Sequence, residues 1–194
     1  MRKKNRLVYG IGVNDFDGEV RTNGKTIKSY KCWSGILERC YSEKTRKKNL
    51  AYKGCAVSEE WLHFSNFKNW YDENFRHDLH EQGIKVEIDK DLLSKNNKIY
   101  SAETCVFIPR KVNLFLANKC SNNTSGNTGV SWMKPNKKWR VCIQSNGKNK
   151  YMGLFVSFEQ AKKAYENARE IEVVKIKEYL TKLGYSENIV DKIR

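Results

Sequence analysis

Apolar side chains recur every three to four residues in two early stretches of the chain and switch to strict alternation in its last third. In YKCWSGILERC, Trp33, Ile36, Leu37 and Cys40 share one side of a helix. A second helical run, EEWLHFSNFKNWYDEN, opens after Ser58, whose hydroxyl is placed to cap it. Trp61, Phe64, Phe67 or Lys68, and Tyr71 keep the same period there, which predicts an aromatic core face, with base stacking by Trp61 or Trp70 as the alternative role. His63 falls in this run as a packed or half-exposed residue, and His77 and His80 read as an exposed polar connection. Between the two helices, residues 42–55 hold five Lys and Arg in what reads as a loop suited to phosphates or simply a solvated one.

The stretch 86–113, VEIDKDLLSKNNKIYSAETCVFIPRKVN, has a strand, loop, strand, helix layout. Its first strand ends at Asp89 and Asp91, a polar loop runs through Asn96 and Asn97, residues 105–108 form a short apolar strand, and a helix-compatible run carries Asn113. If the hairpin folds back on the helix, an aspartate and the amide oxygen of Asn113 converge on one hard cation, for which oxygen donors select magnesium or manganese. Such an ion would stabilise charge on a phosphodiester, with another group activating the water.

After about residue 117 comes KCSNNTSGNTG, rich in Asn, Ser, Thr and Gly, which reads as a linker. This predicts a first domain over 1–118, a linker over 119–128 and a second domain over 129–194. Three short strands follow, GVSWM, KWRVCIQS and KYMGLF, joined by a turn at 134–137 and by SNGKN with its Asn-Gly hairpin signal. Along the middle strand Trp139, Val141 and Ile143 alternate with Arg140, Cys142 and Gln144, so one side meets a helix and the other is polar and cationic. That helix starts after Ser157, and Phe158, Ala161, Ala164, Tyr165 and Ala168 give it a small-residue face. The tail, 173–194, continues the helix or breaks at Gly184, packing on either domain or mediating dimerisation. The expected fold class is α+β.

Charge points to a polyanionic partner: 37 Lys and Arg against 22 Asp and Glu give +15 over 194 residues, with positive excess on both sides of the linker. No apolar run is long enough to span a bilayer, and LVYGIGV is too short for a signal core, so a soluble, cytoplasmic protein with no membrane partner is expected. Cys32, Cys40, Cys55, Cys105, Cys120 and Cys142 form no disulfide framework and read as reduced thiols, with a structural zinc on the first four as the alternative.

On GV at Gly129, the tryptophan and its alternating strand, GLF, and FEQAKKAYENA, residues 127–171 closely resemble the APETALA2 or ethylene-response-factor DNA-binding domain. That resemblance implies a sheet in the major groove of double-stranded DNA, with Ser131, Met133, Arg140, Cys142, Gln144 and Tyr151 facing bases and Lys134, Lys137, Lys138 and Lys150 on phosphates. Ser131 and Cys142 stand where that pattern tends to carry charged readers.

On WSGILERCYS, YKGCAVSEEWLHFSNFKNW, EIDKDLLSKNNKIYSAETCVFIP and VNLF, residues 30–118 resemble phage-encoded H-N-H homing endonucleases, in which such a C-terminal module often accompanies the nuclease. This implies a ββα-metal domain using one Mg²⁺ or Mn²⁺, with Asp89 and Asn113 as metal ligands and a histidine base. Lys90 falls where that histidine is expected, and Thr104 where the middle asparagine is. A protonated lysine cannot take a proton from water as imidazole does. Asp89, Lys90 and Asp91 are therefore the catalytic candidates, one carboxylate accepting the proton while its neighbour holds metal, or a histidine reaching in from another element. Two functions follow: a sequence-recognising DNA endonuclease or nickase encoded by a phage and acting in the host bacterial cytoplasm, or a DNA-binding protein of the same fold without cleavage, acting in regulation or against a host defence system. A host protein target is compatible with either.

Overall fold

The computed structural model describes residues 7–117 and 125–194. In chain order the elements are β1 (Arg21–Thr22), β2 (Lys25–Thr26), α1 (Lys28–Tyr41), α2 (Glu43–Lys48), β3 (Ala56–Val57), α3 (Phe64–Asn74), α4 (His77–Glu81), β4 (Val86–Asp89), β5 (Ile99–Tyr100), β6 (Val106–Pro109), α5 (Arg110–Leu116), β7 (Val130–Met133), β8 (Lys138–Ser145), β9 (Lys148–Phe155), α6 (Phe158–Lys182) and α7 (Glu187–Asp191). The chain is α+β, as expected. No helix among the described residues is long and apolar enough to cross a membrane.

By contacts the chain divides into two compact units, one of residues 1–77 with 88–107 and the other of 78–87 with 108–194. This division runs through β4 and β6 rather than through the polar stretch at 119–128. Of that stretch, 119–124 lie outside the described residues. Ser125 and Asn127 are fastened to the start of β7, since the Ser125 hydroxyl donates to the Val130 carbonyl at 2.7 Å and accepts from the Asn127 N–H.

In the first unit, Trp33, Ile36, Leu37 and Cys40 are buried on α1, the face their spacing predicts. Trp33 also closes its polar valence, donating Nε1–H to the Trp61 carbonyl at 2.7 Å. Around it, Tyr30, Phe64 and Phe16 pack edge-on or tilted, and a second group joins Trp61, Phe67, Trp70, Tyr71, Phe75 and Phe107. Trp61 is thus core, 2 % exposed, and has no free face for a base. β3 and β5 pair in parallel through Ala56 with Ile99 and Val57 with Tyr100.

The aromatic helix does not start at Ser58, whose hydroxyl is enclosed without a partner. A short 3₁₀ turn, Glu60–Leu62, comes first, and α3 begins at Phe64. The cause lies some fifty residues upstream: Val13 pairs beside His63, and the Asp15 carboxylate caps α3 by accepting from the Ser65 N–H at 2.9 Å and the Ser65 hydroxyl at 2.8 Å. The half-exposed His63 ring adds Nδ1 at 3.0 Å from the same carboxylate. Partial burial opposes ionisation of Asp15, but these hydrogen bonds outweigh it and hold the carboxyl below its ordinary range. A depressed folded-state value contributes stability above the unfolded-state value, and that contribution disappears as pH falls through the folded one. Asp15→Ala is therefore expected to cost about 1 kcal/mol at neutral pH, the usual worth of a lost N-cap, and almost nothing in strong acid. Urea melts at the two pH values check this.

The second unit is built on the antiparallel sheet β7–β8–β9. Its helix-side core joins Val130, Val141 and Ala161, flanked by Trp139, Phe155, Phe158 and Tyr165. The small-residue face of α6 allows this close approach. A neighbouring cluster joins Ile143 and Ala168 to Phe115 of α5, so α5 packs against the sheet and α6. Lys111 of α5 adds contacts of its own, with Nζ 3.4 Å from the Tyr179 ring centroid and 3.2 Å from Asn146 Oδ1. Of the two expected courses of the tail, the helix breaks at Gly184: α6 runs unbroken to Lys182, Gly184 turns the chain at φ +74°, and α7 folds back with Tyr185 and Ile193 buried. Arg169 on α6 then donates to the terminal Arg194 carbonyl at 2.8 Å.

Candidate functional site

At the end of β4, the Asp89 carboxylate turns the chain into the polar loop by accepting from two backbone N–H groups, Asp91 at 2.9 Å and Leu92 at 2.7 Å, both on Oδ1. Burial raises its pKa, and those two N–H donors only partly offset the effect. Asp89 is therefore a better proton acceptor toward neutrality than an ordinary aspartate.

Lys90 occupies the expected histidine position but turns inward. It is 7 % exposed. Its ammonium donates to Asp91 Oδ1 and, at 2.8 Å, to the Asn97 carbonyl, and it lies 5.9 Å from the Tyr100 ring centroid. The Asn97 amide returns the contact by donating to the Lys90 carbonyl at 3.1 Å. Lys90 and Asn97 thus tie the two ends of the loop together. With its ammonium engaged by Asp91 and the Asn97 carbonyl, the Lys90 side chain is committed to holding the loop rather than turned toward an open site. Asp91, more than half exposed, is its outer partner.

Thr104, at the expected middle-asparagine position, is also spent on local structure. Its hydroxyl donates to the Ile99 carbonyl at 2.8 Å and accepts from the Ser101 N–H at 3.1 Å, pinning the turn before β6.

In the other unit, Asn113 on α5 donates its amide N–H to Glu87 Oε2 at 3.0 Å, and Arg110 stands 3.5 Å from Glu87 Oε1. Glu87 was not singled out by sequence. Strand alternation was the available signal, since Glu87 and Asp89 stand two apart on β4. A donating amide leaves the Asn113 carbonyl oxygen beside a carboxylate, a hard-oxygen pair whose chemistry fits Mg²⁺ or Mn²⁺, ions that keep several water ligands. Among the described residues no three His, Cys, Asp or Glu side chains are grouped to hold a metal. Burial pushes the Cys32, Cys40 and Cys105 thiols up to about 12. Cys120 lies outside the described residues. His77 and His80 stand exposed on α4, and His63 is committed to Asp15.

The sheet presents the second set of candidates. Residues opposite one another in the ladder share a face, and the pairs are Ser131 with Arg140, Met133 with Lys138, Cys142 with Tyr151, and Gln144 with Asn149. All lie opposite the helix-side pair Val130 and Val141. Arg140 is exposed, and Tyr151 is 59 % exposed. Lys134 and Lys137 are exposed in the turn between β7 and β8. Lys150 instead pairs with Ile143, which puts it on the helix side of the sheet as an exposed residue. Gln144 donates Nε2–H to Asn149 Oδ1 at 2.8 Å while its own Oε1 is enclosed without a partner. This arrangement has to open before Gln144 can make paired bonds to an adenine. Asn149 and Leu154, the latter opposite Arg140, complete the face and were not foreseen. The register slips between Val141 and Cys142, leaving Met152 as the extra residue of a β-bulge.

No protein-family model, curated protein or solved structure matches this chain.

Proposed function

We propose that this protein is a DNA-recognising endonuclease of the phage H-N-H homing type, with an APETALA2-like sheet that enters the major groove and a ββα-metal half that hydrolyses a phosphodiester. The observation that carries the reading is the ladder register, which gathers Ser131, Met133, Arg140, Cys142, Gln144 and Tyr151 on one face away from α6. A twisted sheet of this size fits the major groove, where an exposed arginine can bond guanine O6 and N7 together. Lys134, Lys137 and Lys138 lie at its β7–β8 end and suit flanking phosphates. The overall +15 charge supplies the long-range attraction.

For the hydrolytic half, a bound Mg²⁺ or Mn²⁺ would stabilise the charge that develops on the phosphate. Within the second unit Asn113 and Glu87 supply oxygen donors for it; in the first unit Asp89 is the candidate proton acceptor. Lys90 orders the loop that carries Asp89 and Asp91. Purified protein with supercoiled DNA and either metal tests this reading. Cleavage that EDTA abolishes is expected. Asp89→Asn keeps the oxygen that caps the loop, so it should retain DNA binding and lose cleavage by at least about a hundredfold.

The burial of Lys90 at the base position favours a second reading, a DNA-binding protein without cleavage that acts in regulation or against a host defence system. Tight binding with no cleavage under either metal selects it. In both readings Arg140→Ala should weaken binding by about 1–3 kcal/mol at one base position and little elsewhere. Affinities for a set of single-base variants measure this, and a uniform loss would reassign Arg140 to phosphate.

A further inference from the structure

The stretch 42–55, which reads as a loop in sequence, is a built ridge. Ser42 caps α2, its hydroxyl accepting from the Thr45 N–H at 3.3 Å, and the Thr45 hydroxyl donates to Glu38 on α1 at 3.2 Å. Asn49 then caps a 3₁₀ turn, Leu50–Tyr52, accepting from the Ala51 N–H at 3.1 Å. The Ala51 carbonyl is gripped twice, by the Lys98 ammonium at 3.3 Å and the Cys55 thiol at 3.7 Å. On this fixed backbone Lys44, Arg46, Lys47, Lys48 and Lys53 all carry their charge at the surface, against one acid, Glu43, which is paired to Lys47. At the apex, between Lys48 and Lys53, Leu50 is 69 % exposed.

Lysines on a flexible loop would serve solubility alone. Here two caps and a doubly held carbonyl fix the backbone that carries the cations and the leucine, and an exposed leucine flanked by cations matches a nucleic-acid minor groove, with phosphates on both walls and a less polar floor. We propose that this ridge is a second duplex-DNA contact, carried by the first unit and separate from the sheet, with Lys44, Arg46, Lys48 and Lys53 on phosphates and Leu50 against the minor groove as a wedge. The proposal rests on the DNA-binding reading above and adds to it a sequence-independent clamp. Sequence choice then belongs to the sheet, and affinity and duplex bending belong to the ridge.

The test uses the full chain and a fluorescent duplex of arbitrary sequence over a range of salt. Replacing Lys44, Arg46 and Lys48 together by alanine should lower affinity tenfold or more at low salt. It should also reduce the slope of log affinity against log salt by about 0.9 for each phosphate that is no longer neutralised. Leu50→Ala should keep that slope and abolish the change in energy transfer between dyes at the two duplex ends that reports bending. These substitutions are on surface positions, and circular dichroism verifies that each variant is folded. If the wild type binds duplex, Arg140→Ala alters its base preference, and the triple variant keeps the wild-type slope, the ridge proposal falls while the sheet reading stands. Unchanged bending by Leu50→Ala overturns the wedge. Absence of any duplex binding, or ridge-dependent binding to phosphatidylserine vesicles instead, overturns the ridge as a DNA contact.

Discussion

Gly129→Ala is expected to lower the stability of the second unit by about 3 kcal/mol, and its melting temperature by roughly 15 °C. Two independent penalties add at this position. The backbone has φ +73°, which an L side chain adopts only at a cost. A methyl group there would also lie 2.2 Å from Cε2 of Tyr165 and 2.4 Å from the Cys142 carbonyl oxygen. The tyrosine ring can rotate, but the carbonyl belongs to β8 and receives no such freedom, because the Cys142 N–H is bonded to the Gly129 carbonyl at 2.8 Å. Relieving the contact means separating β7 from β8 at the point where the face bearing Ser131 and Arg140 begins. Gly126 provides the control: its φ is +77°, yet nothing lies within 4 Å of a new Cβ. Gly126→Ala should cost only the backbone part, about 1 kcal/mol. Thermal melts of the two variants compare the penalties, and equal losses would mean that the close approach at Gly129 carries no weight. Because Ser131 and Arg140 are paired two residues further on, the proposed DNA-binding reading has Gly129→Ala reduce DNA affinity as well.

Lys90→Ala is expected to destabilise the first unit by about 2 kcal/mol, less than breaking a fully buried ion pair because Asp91 can return to water. The Asn97 carbonyl loses its ammonium donor, and the void left under the loop faces Tyr100. Lys90→Met fills the same volume without the charge and should recover part of the loss. Under the proposed endonuclease reading, the distinguishing measurement sets cleavage against folding: a scaffold residue reduces the rate only as far as it reduces the folded, ordered fraction. A loss of a hundredfold or more in cleavage with an unchanged melting curve would make Lys90 a chemical participant. Lys90→His, which restores the expected imidazole, places it in an enclosed position beside Asn97 and is expected to leave the rate no higher.

What the sequence made legible was local. The period of Trp33, Ile36, Leu37 and Cys40 marks the buried side of α1, and the alternation of β8 separates Val141 and Ile143 from Arg140 and Cys142. The Asn-Gly pair marks the tight turn between β8 and β9, where Asn146 and Gly147 both take positive φ, as that turn requires. What stayed hidden depended on partners far along the chain or on backbone atoms. The start of α3 is set by Asp15, and no local pattern around Ser58 or His63 announces it. Lys90 looks like a failed base until the Asn97 carbonyl is seen to hold it, and a carbonyl has no signature in a sequence. The acidic pair after Glu87 carries the resemblance and Glu87 itself has no local signature, since its hydrogen bond with Asn113 depends on how α5 leaves β6. Phe115 likewise lies in the segment expected to end the first domain, yet it shares a core with Ile143 and Ala168, a pairing that one short helix gives no periodicity to reveal.

The most direct test of the proposed DNA reading is recovery of duplexes from a randomised pool by the intact protein at fixed salt, followed by sequencing. The account predicts an enriched motif that includes a guanine, with the preference at that single position disappearing when the selection is repeated with Arg140→Ala. Recovery of an unbiased pool by both proteins, or of no DNA at all, would contradict it.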